Sequence, residues 1–134
     1  MGTGYDQVPK ATHCGCWAHM RRKWREAMTR GATTATSKAA IGYEYCNKLF
    51  ALERKYEGYR PEQRREMRQA QAEPVLDAYW SWVEKLELEP GSKLKEAVRY
   101  TRNQKQALNA FLQYGDVDIS NNLAVNSGVR CNAP

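Results

Sequence analysis

From Trp17 to Leu112, apolar residues recur at intervals of three and four, and the runs are cut by glycine and proline. This spacing gathers them on one face of a helix; a half-buried strand would need strict alternation instead. Trp17, Met20, Trp24, Ala27 and Met28 form the first such face, which Gly31 stops. Beyond a small-residue loop from Gly31 to Thr36, Ser37 is placed as the N-cap of a second helix, with Ile41, Tyr45, Leu49, Leu52 and Tyr56 on its buried face as far as Gly58. Pro61 opens a third helix, with Glu62 near the positive end of its dipole. Through Ala72 that helix has few apolar residues beyond Met67, so it is expected to be largely exposed.

Pro74 removes a donor and crowds the preceding turn, which predicts a break or kink there. Val75, Leu76, Tyr79, Trp82, Val83 and Leu86 then make a strongly apolar face that Pro90-Gly91 ends, and Ser92 is placed as the cap of a further helix with Leu94, Ala97 and Val98. Whether Arg102-Asn103 interrupts it before Ala107, Leu108, Phe111 and Leu112 is left open by the sequence; Gly115 closes it, and Asn121 to Ser127 suit the start of another short helix. Ala11 to Cys16 is compatible with a strand, whose partners are expected outside the chain. The fold class that follows is mainly α: about five helices packed antiparallel as a bundle, with at most one or two short strands. Tryptophan and tyrosine are expected to supply much of the core, and Trp82→Ala should cost about 3–5 kcal/mol if Trp82 is fully buried.

At 134 residues the chain is sized for one domain, and its formal charge of +6 favours polyanionic partners. The charge is uneven. Arg21, Arg22, Lys23, Arg25 and Arg30 face only Glu26 in one segment, and Lys93, Lys95, Arg99, Arg102 and Lys105 face only Glu96 in another; Glu73, Asp77, Glu84, Glu87 and Glu89 lie between. Two basic helices flanking an acidic one either bind a phosphate backbone on one side or neutralise one another, and both readings stand. Four cysteines accompany no apolar leader and no run long enough to cross a bilayer, which predicts a reduced, cytoplasmic setting without membrane contact.

Cys16 and His19 stand one helical turn apart, a spacing at which a thiolate and an imidazole face the same ion. Cys14 offers a third ligand and nothing offers a fourth, so a packed cysteine and a hydrogen-bonded histidine are preferred over zinc, and no metal site is assigned. Nucleophilic catalysis by Cys16 lacks a glycine-rich oxyanion turn and an orienting residue. Asp116 and Asp118 read as a solvated turn before a cation site, and Asn121-Asn122 as a turn or N-cap. Arg21, Arg22, Lys23, Arg99 and Arg102 are the candidate phosphate contacts, with a solvated basic face as the alternative.

Taken in order, Gly4-Tyr5, Gly15-Cys16-Trp17-Ala18-His19-Met20-Arg21-Arg22-Lys23-Trp24, Leu49-Phe50-Ala51-Leu52-Glu53, Arg64-Arg65-Glu66-Met67-Arg68, Ser92 to Tyr100, and Ile119-Ser120-Asn121-Asn122-Leu123-Ala124 resemble the bacterial insertion sequence 66 family of DDE transposases. The resemblance implies an RNase H-like core in which two aspartates and a glutamate hold two divalent ions, Mg²⁺ in an intact member, for phosphoryl transfer. A helical insertion would separate the second aspartate from the glutamate. Cys16 and His19 match the signature just after that aspartate, and their implied role is to shape the edge of the core. The chain would then divide into a core-strand remnant at 1–16, the helical insertion at 17–115, and at 116–134 the remnant that would carry the glutamate.

The departures from the pattern shape the expected function. The second aspartate would precede Gly4-Tyr5, and Asp6 follows it; the glutamate position after Asn121-Asn122 is Val125. A site without those anions cannot hold cations, so the expectation is a transposase segment that retains DNA affinity at most, catalyses no strand cleavage or joining by itself, and takes no cofactor of its own. The alternatives are a protein-interaction module that pairs with itself or with a full-length transposase, and a part of a longer reading frame.

Overall fold

The computed structural model describes residues 12–30, 33–87, 93–119 and 129–132, with side-chain surroundings over 16–28, 38–87 and 93–119. Strand β1 (Thr12–Gly15) runs into α1 (Trp17–Arg30), and α2 (Thr33–Lys55) folds back along it. The direction is fixed by side chains: Arg21 reaches Asn47 and Tyr43, whereas Trp24, one turn further along α1, meets Gly42 earlier in α2. A Cβ at Gly42 would collide with the Trp24 ring, so the close approach of the two helices depends on glycine there. Ile41, expected in the core, is instead 45% exposed, because the face of α2 turned to α1 is built from Ala39, Gly42, Cys46 and Leu49. Ser37 lies within α2 and does not cap it; small side chains that read as loop are carried into the helix by the hairpin, since propensity is a weak prior beside packing.

Pro74 neither ends the third helix nor leaves it unchanged. α3 (Pro61–Met67) continues through a π-helical turn (Arg68–Ala72) into α4 (Glu73–Glu84). Proline cannot donate to the carbonyl four residues back, and its ring would crowd it; widening the ladder by one residue, with the Glu73 amide bonded to the Arg68 carbonyl, accommodates Pro74 in the first turn of α4. The wider turn also keeps Arg68 and Ala72 on the buried side that α4 continues with Leu76 and Trp80, so the stretch expected to be exposed hides a fully buried arginine.

On α4 the innermost stripe is Leu76, Tyr79, Trp80 and Val83. Trp82 is half-buried on its shoulder, packed at a tilt against Trp24 and Tyr45 with ring centroids 5.4 and 5.7 Å away, so the condition of full burial is met by Tyr79 in its place. Next come α5 (Lys93–Asn103), which buries Leu94, Ala97, Val98 and Thr101, then α6 (Lys105–Asn109) and a 3₁₀ turn (Ala110–Gln113). The interruption left open by the sequence falls at Gln104. Gly115 is buried against the backbone of Pro61 and Arg65, where a Cβ would strike the Pro61 carbonyl. The expected signals at Gly31, Pro90-Gly91, Ser92 and Asn121 to Ser127 lie outside the described residues.

Aromatic rings hold the centre together, and the buried polar tips of Trp17, Trp24, Tyr79 and Trp80 find hydrogen-bond partners, which is what makes tyrosine and tryptophan tolerable there, while the buried Tyr100 hydroxyl has none among the described residues. Trp17 donates to the Leu108 carbonyl at 2.9 Å and Trp80 to Asn109 at 2.8 Å; Trp24 donates to the Tyr79 hydroxyl at 3.2 Å, which pairs with Thr101 at 2.7 Å. Strand β2 (Val129–Asn132) lies parallel to β1, with Thr12 opposite Val129 and Gly15 opposite Asn132. The expectation that β1 would find no partner within the chain is therefore corrected: four residues beginning with a β-branched Val129 suffice to pair with it.

Candidate functional site at the base of the helical unit

The helical unit opens and closes at one place. Just after β1, the Trp17 amide donates to the Ile119 carbonyl at 2.9 Å, joining the first residue of α1 to the end of the segment that follows the last helical turn. With the β1–β2 pair, this brings together two parts of the chain separated by the whole bundle.

Arg68 holds the returning segment in position. Its Nε and Nη2 form a two-pronged pair with Glu53 at 2.8 and 2.7 Å, Nη1 donates to the carbonyls of Phe111 and Tyr114 at 3.0 and 2.8 Å, and Nη2 also donates to that of Val117 at 2.7 Å. Its guanidinium lies 5.0 Å from the centre of the Phe111 ring. A point-charge ammonium could not match a planar fork of five donors here. Arg64 adds bonds to the carbonyls of Gly115 and Tyr59, both at 3.0 Å. Two arginines from α3 and the π turn thus set the path of residues 111–119 into Ile119.

Two adjoining depressions flank this base. One, of about 430 Å³, is lined by residues including Glu53, Glu57, Arg64, Asp116, Asp118 and Ile119; the other, of about 440 Å³, lies between the start of α1 and the end of α2 and is lined by Ala18, Arg21, Asn47, Phe50 and Arg54. Phe50 and Arg54 border both. Asp116 and Asp118 are exposed on the rim of the first, and among the described residues no three His, Cys, Asp or Glu side chains converge as a metal site would require.

The five candidate phosphate contacts do not share one face. Arg21 points to α2, bonded to Asn47 Oδ1 at 2.6 Å and the Tyr43 hydroxyl at 2.8 Å, with its guanidinium 4.6 Å from the Tyr43 ring centre. Lys23 points to α5, its ammonium 5.2 Å from the centre of the Tyr100 ring. Arg102 caps the end of α4 by donating to the Val83 carbonyl at 2.9 Å. Arg22 and Arg99 have exposed side chains.

Cys16 is buried and forms no disulfide among the described residues. His19 packs at a tilt against Tyr100, ring centroids 5.1 Å apart, and burial, followed by the charges of Lys23 and Arg22, holds its pKa below the usual value. Tyr100 is pushed up to about 12 by burial and then by Cys16. An imidazole held against an aromatic ring is a packed arrangement in its own right. Asn121, Asn122 and Val125 lie outside the described residues.

Sequence reasoning missed Glu53, Arg54 and Arg68. Asn47, Phe50 and Arg54 stand at i, i+3 and i+7 on one face of α2, a signal for a shared polar edge that was available. A buried arginine has no such signature, since its neighbours in sequence are as polar as those of an exposed one.

The family described as Transposase IS66 family matches residues 3–128. Among curated proteins, the uncharacterized protein y4qI of Sinorhizobium fredii is 32% identical over 111 residues, covering 81% of this chain and 20% of its own length. The uncharacterized proteins y4hP and y4jD of the same organism are 28% and 27% identical, each over 84% of this chain and 22% of their own lengths. The chain thus spans about a fifth of the length of the curated relatives it matches. No solved structure matches.

Proposed function

This chain belongs to the IS66 family of transposases, and from that premise we propose that it is the helical insertion of a DDE transposase, with 17–115 as the insertion, 1–16 as core strand and 116–134 as the segment bearing the glutamate position. The observation that carries this reading is the closure of the unit on itself: the Trp17 amide on the Ile119 carbonyl beside a parallel strand pair lets a helical unit be inserted without pulling core strands apart. Cys16 and His19 shape the edge of that junction. Among the described residues, no helix is long and apolar enough to cross a membrane.

The partner is DNA, met through phosphate contacts. Arg22 and Arg99, exposed, are the freest of the five basic candidates, while Arg21, Lys23 and Arg102 are already engaged with protein groups. Binding through them should weaken steeply with salt, log K falling by about 0.9 per phosphate contact for each unit of log salt. Fluorescence anisotropy with a labelled duplex at several salt concentrations tests this, and salt-independent affinity refutes it. Because Val125 occupies the glutamate position and has no side-chain carboxylate to offer a metal, the chain alone neither nicks nor joins strands. Nicking of cognate ends on adding Mg²⁺ or Mn²⁺ would overturn that.

A second reading, association with another copy or with a full-length transposase, is favoured by Ile41, exposed on α2 beside a groove lined by Ala40, Glu44, Tyr45 and Lys48. Sedimentation of the chain decides between them: a monomer with salt-sensitive DNA binding supports the first.

A further inference from the structure

We infer that the groove between the first turn of α1 and the last turns of α2 is a seat for the phosphodiester backbone of DNA, with Arg54 contacting the phosphate and Arg21 fixed beside it by neutral partners. This deepens, and rests on, the reading that the chain binds DNA. The lining is Ala18, Arg21, Asn47, Phe50 and Arg54, two guanidiniums and no carboxylate. Arg21 is held by an amide oxygen and a phenol, Asn47 and Tyr43, so its geometry is set while its charge remains uncancelled. An arginine ordered before the ligand arrives loses less rotamer freedom on binding. Arg54, exposed in the last turn of α2, has no carboxylate partner among the described residues.

The surroundings confine an anion to this groove. Across Phe50 and Arg54 the neighbouring cleft carries Glu53, Glu57, Asp116 and Asp118 against Arg64 and Arg68, whose guanidiniums are taken up by Glu53 and by backbone carbonyls, so it favours an anion less than this groove does. The opposed helix ends offset one another, the positive start of α1 against the negative end of α2, so the two guanidiniums decide the sign. Ala18 leaves room, and Phe50 offers an apolar wall to a sugar.

The test is anisotropy of a labelled DNA duplex with the full chain, comparing Arg54→Gln with Arg25→Gln, an equal loss of charge at another exposed position of a helix. The expected result is a roughly fivefold loss of affinity for Arg54→Gln with a salt slope shallower by about 1, against less than a twofold change for Arg25→Gln. In ¹⁵N spectra, the Nε–Hε signals of Arg21 and Arg54 should shift on adding duplex while that of Arg25 stays. Equal losses in the two variants, or unmoved Arg21 and Arg54 signals, overturn the groove while leaving DNA binding intact. A wild-type chain that fails to bind duplex sinks the underlying reading as well, and an RNA duplex that competes more strongly than DNA overturns the assignment to DNA.

Discussion

Arg68 carries its charge at zero exposure, and five hydrogen bonds stand in for the water it gives up. A buried ion pair of this kind adds little net stability compared with apolar residues of the same shape, but removing one partner strands the other. Arg68→Ala leaves the Glu53 carboxylate, 16% exposed, without its partner and the Val117 carbonyl without the guanidinium's donor, while those of Phe111 and Tyr114 keep only backbone donors, so urea denaturation should show a loss of about 3–5 kcal/mol. Arg68→Lys should recover only part of that, since three donors replace five. His19 has the opposite character, being held neutral by burial and by Lys23 and Arg22. Its folded pKa lies below the unfolded value of 6.5, so the unfolded chain binds the extra proton; stability is at its full value above 6.5 and declines as pH falls through it. The melting temperature should drop between pH 7.5 and 5.5, and His19→Gln should flatten that slope. A histidine signal titrating above 6.5 by NMR would contradict the burial argument.

Between α1 and α2 the contact depends on a residue whose role is invisible in its own sequence neighbourhood. Alanine in place of a mid-helix glycine ordinarily stabilises by about 0.5–1 kcal/mol. At Gly42 the added methyl runs into the Trp24 ring, and overpacking of that sort costs about 1–3 kcal/mol, so Gly42→Ala should lower the melting temperature of the chain. The helices themselves were legible wherever a single stripe governed them, as with Trp17, Met20, Trp24 and Ala27 on α1, or Leu94, Ala97 and Val98 on α5. Legibility failed where two apolar stripes lay side by side: on α4, Trp80 and Trp82 are equally apolar in sequence, and only the position of α4 against α1 and α6 decides that Trp80 goes in. At Pro74 the break or kink expected from the missing donor takes the form of a π turn that carries the helix on into α4, an outcome the proline alone does not specify. Of the candidate site, the basic residues were legible as charges but not as neighbours, because Arg21, Lys23 and Arg102 turn towards three different elements.

The described helical unit is organised around the point where Trp17 and Ile119 meet. A long helical unit is compatible with a neighbouring sheet only if its ends stay together, and a single backbone bond worth about 0.5–1.5 kcal/mol does not achieve that unaided. The Trp17–Ile119 bond is backed by Arg68 and Arg64 on the carbonyls of residues 111–117 and by Trp17 itself, which is fully buried and whose indole is tied to Leu108. Opening the junction therefore requires the returning segment to leave Arg68, which couples it to the core. Hydrogen exchange should then find the Trp17 amide protected nearly as well as the mid-helix amides of α1, although it stands at a helix start where amides normally fray. In Arg68→Lys the Trp17 amide should exchange faster by a larger factor than the amide of Trp24, a difference that uniform destabilisation would not produce. Rapid exchange at Trp17 in the unaltered chain would mean that the junction is open in solution and that the bundle does not hold its ends together.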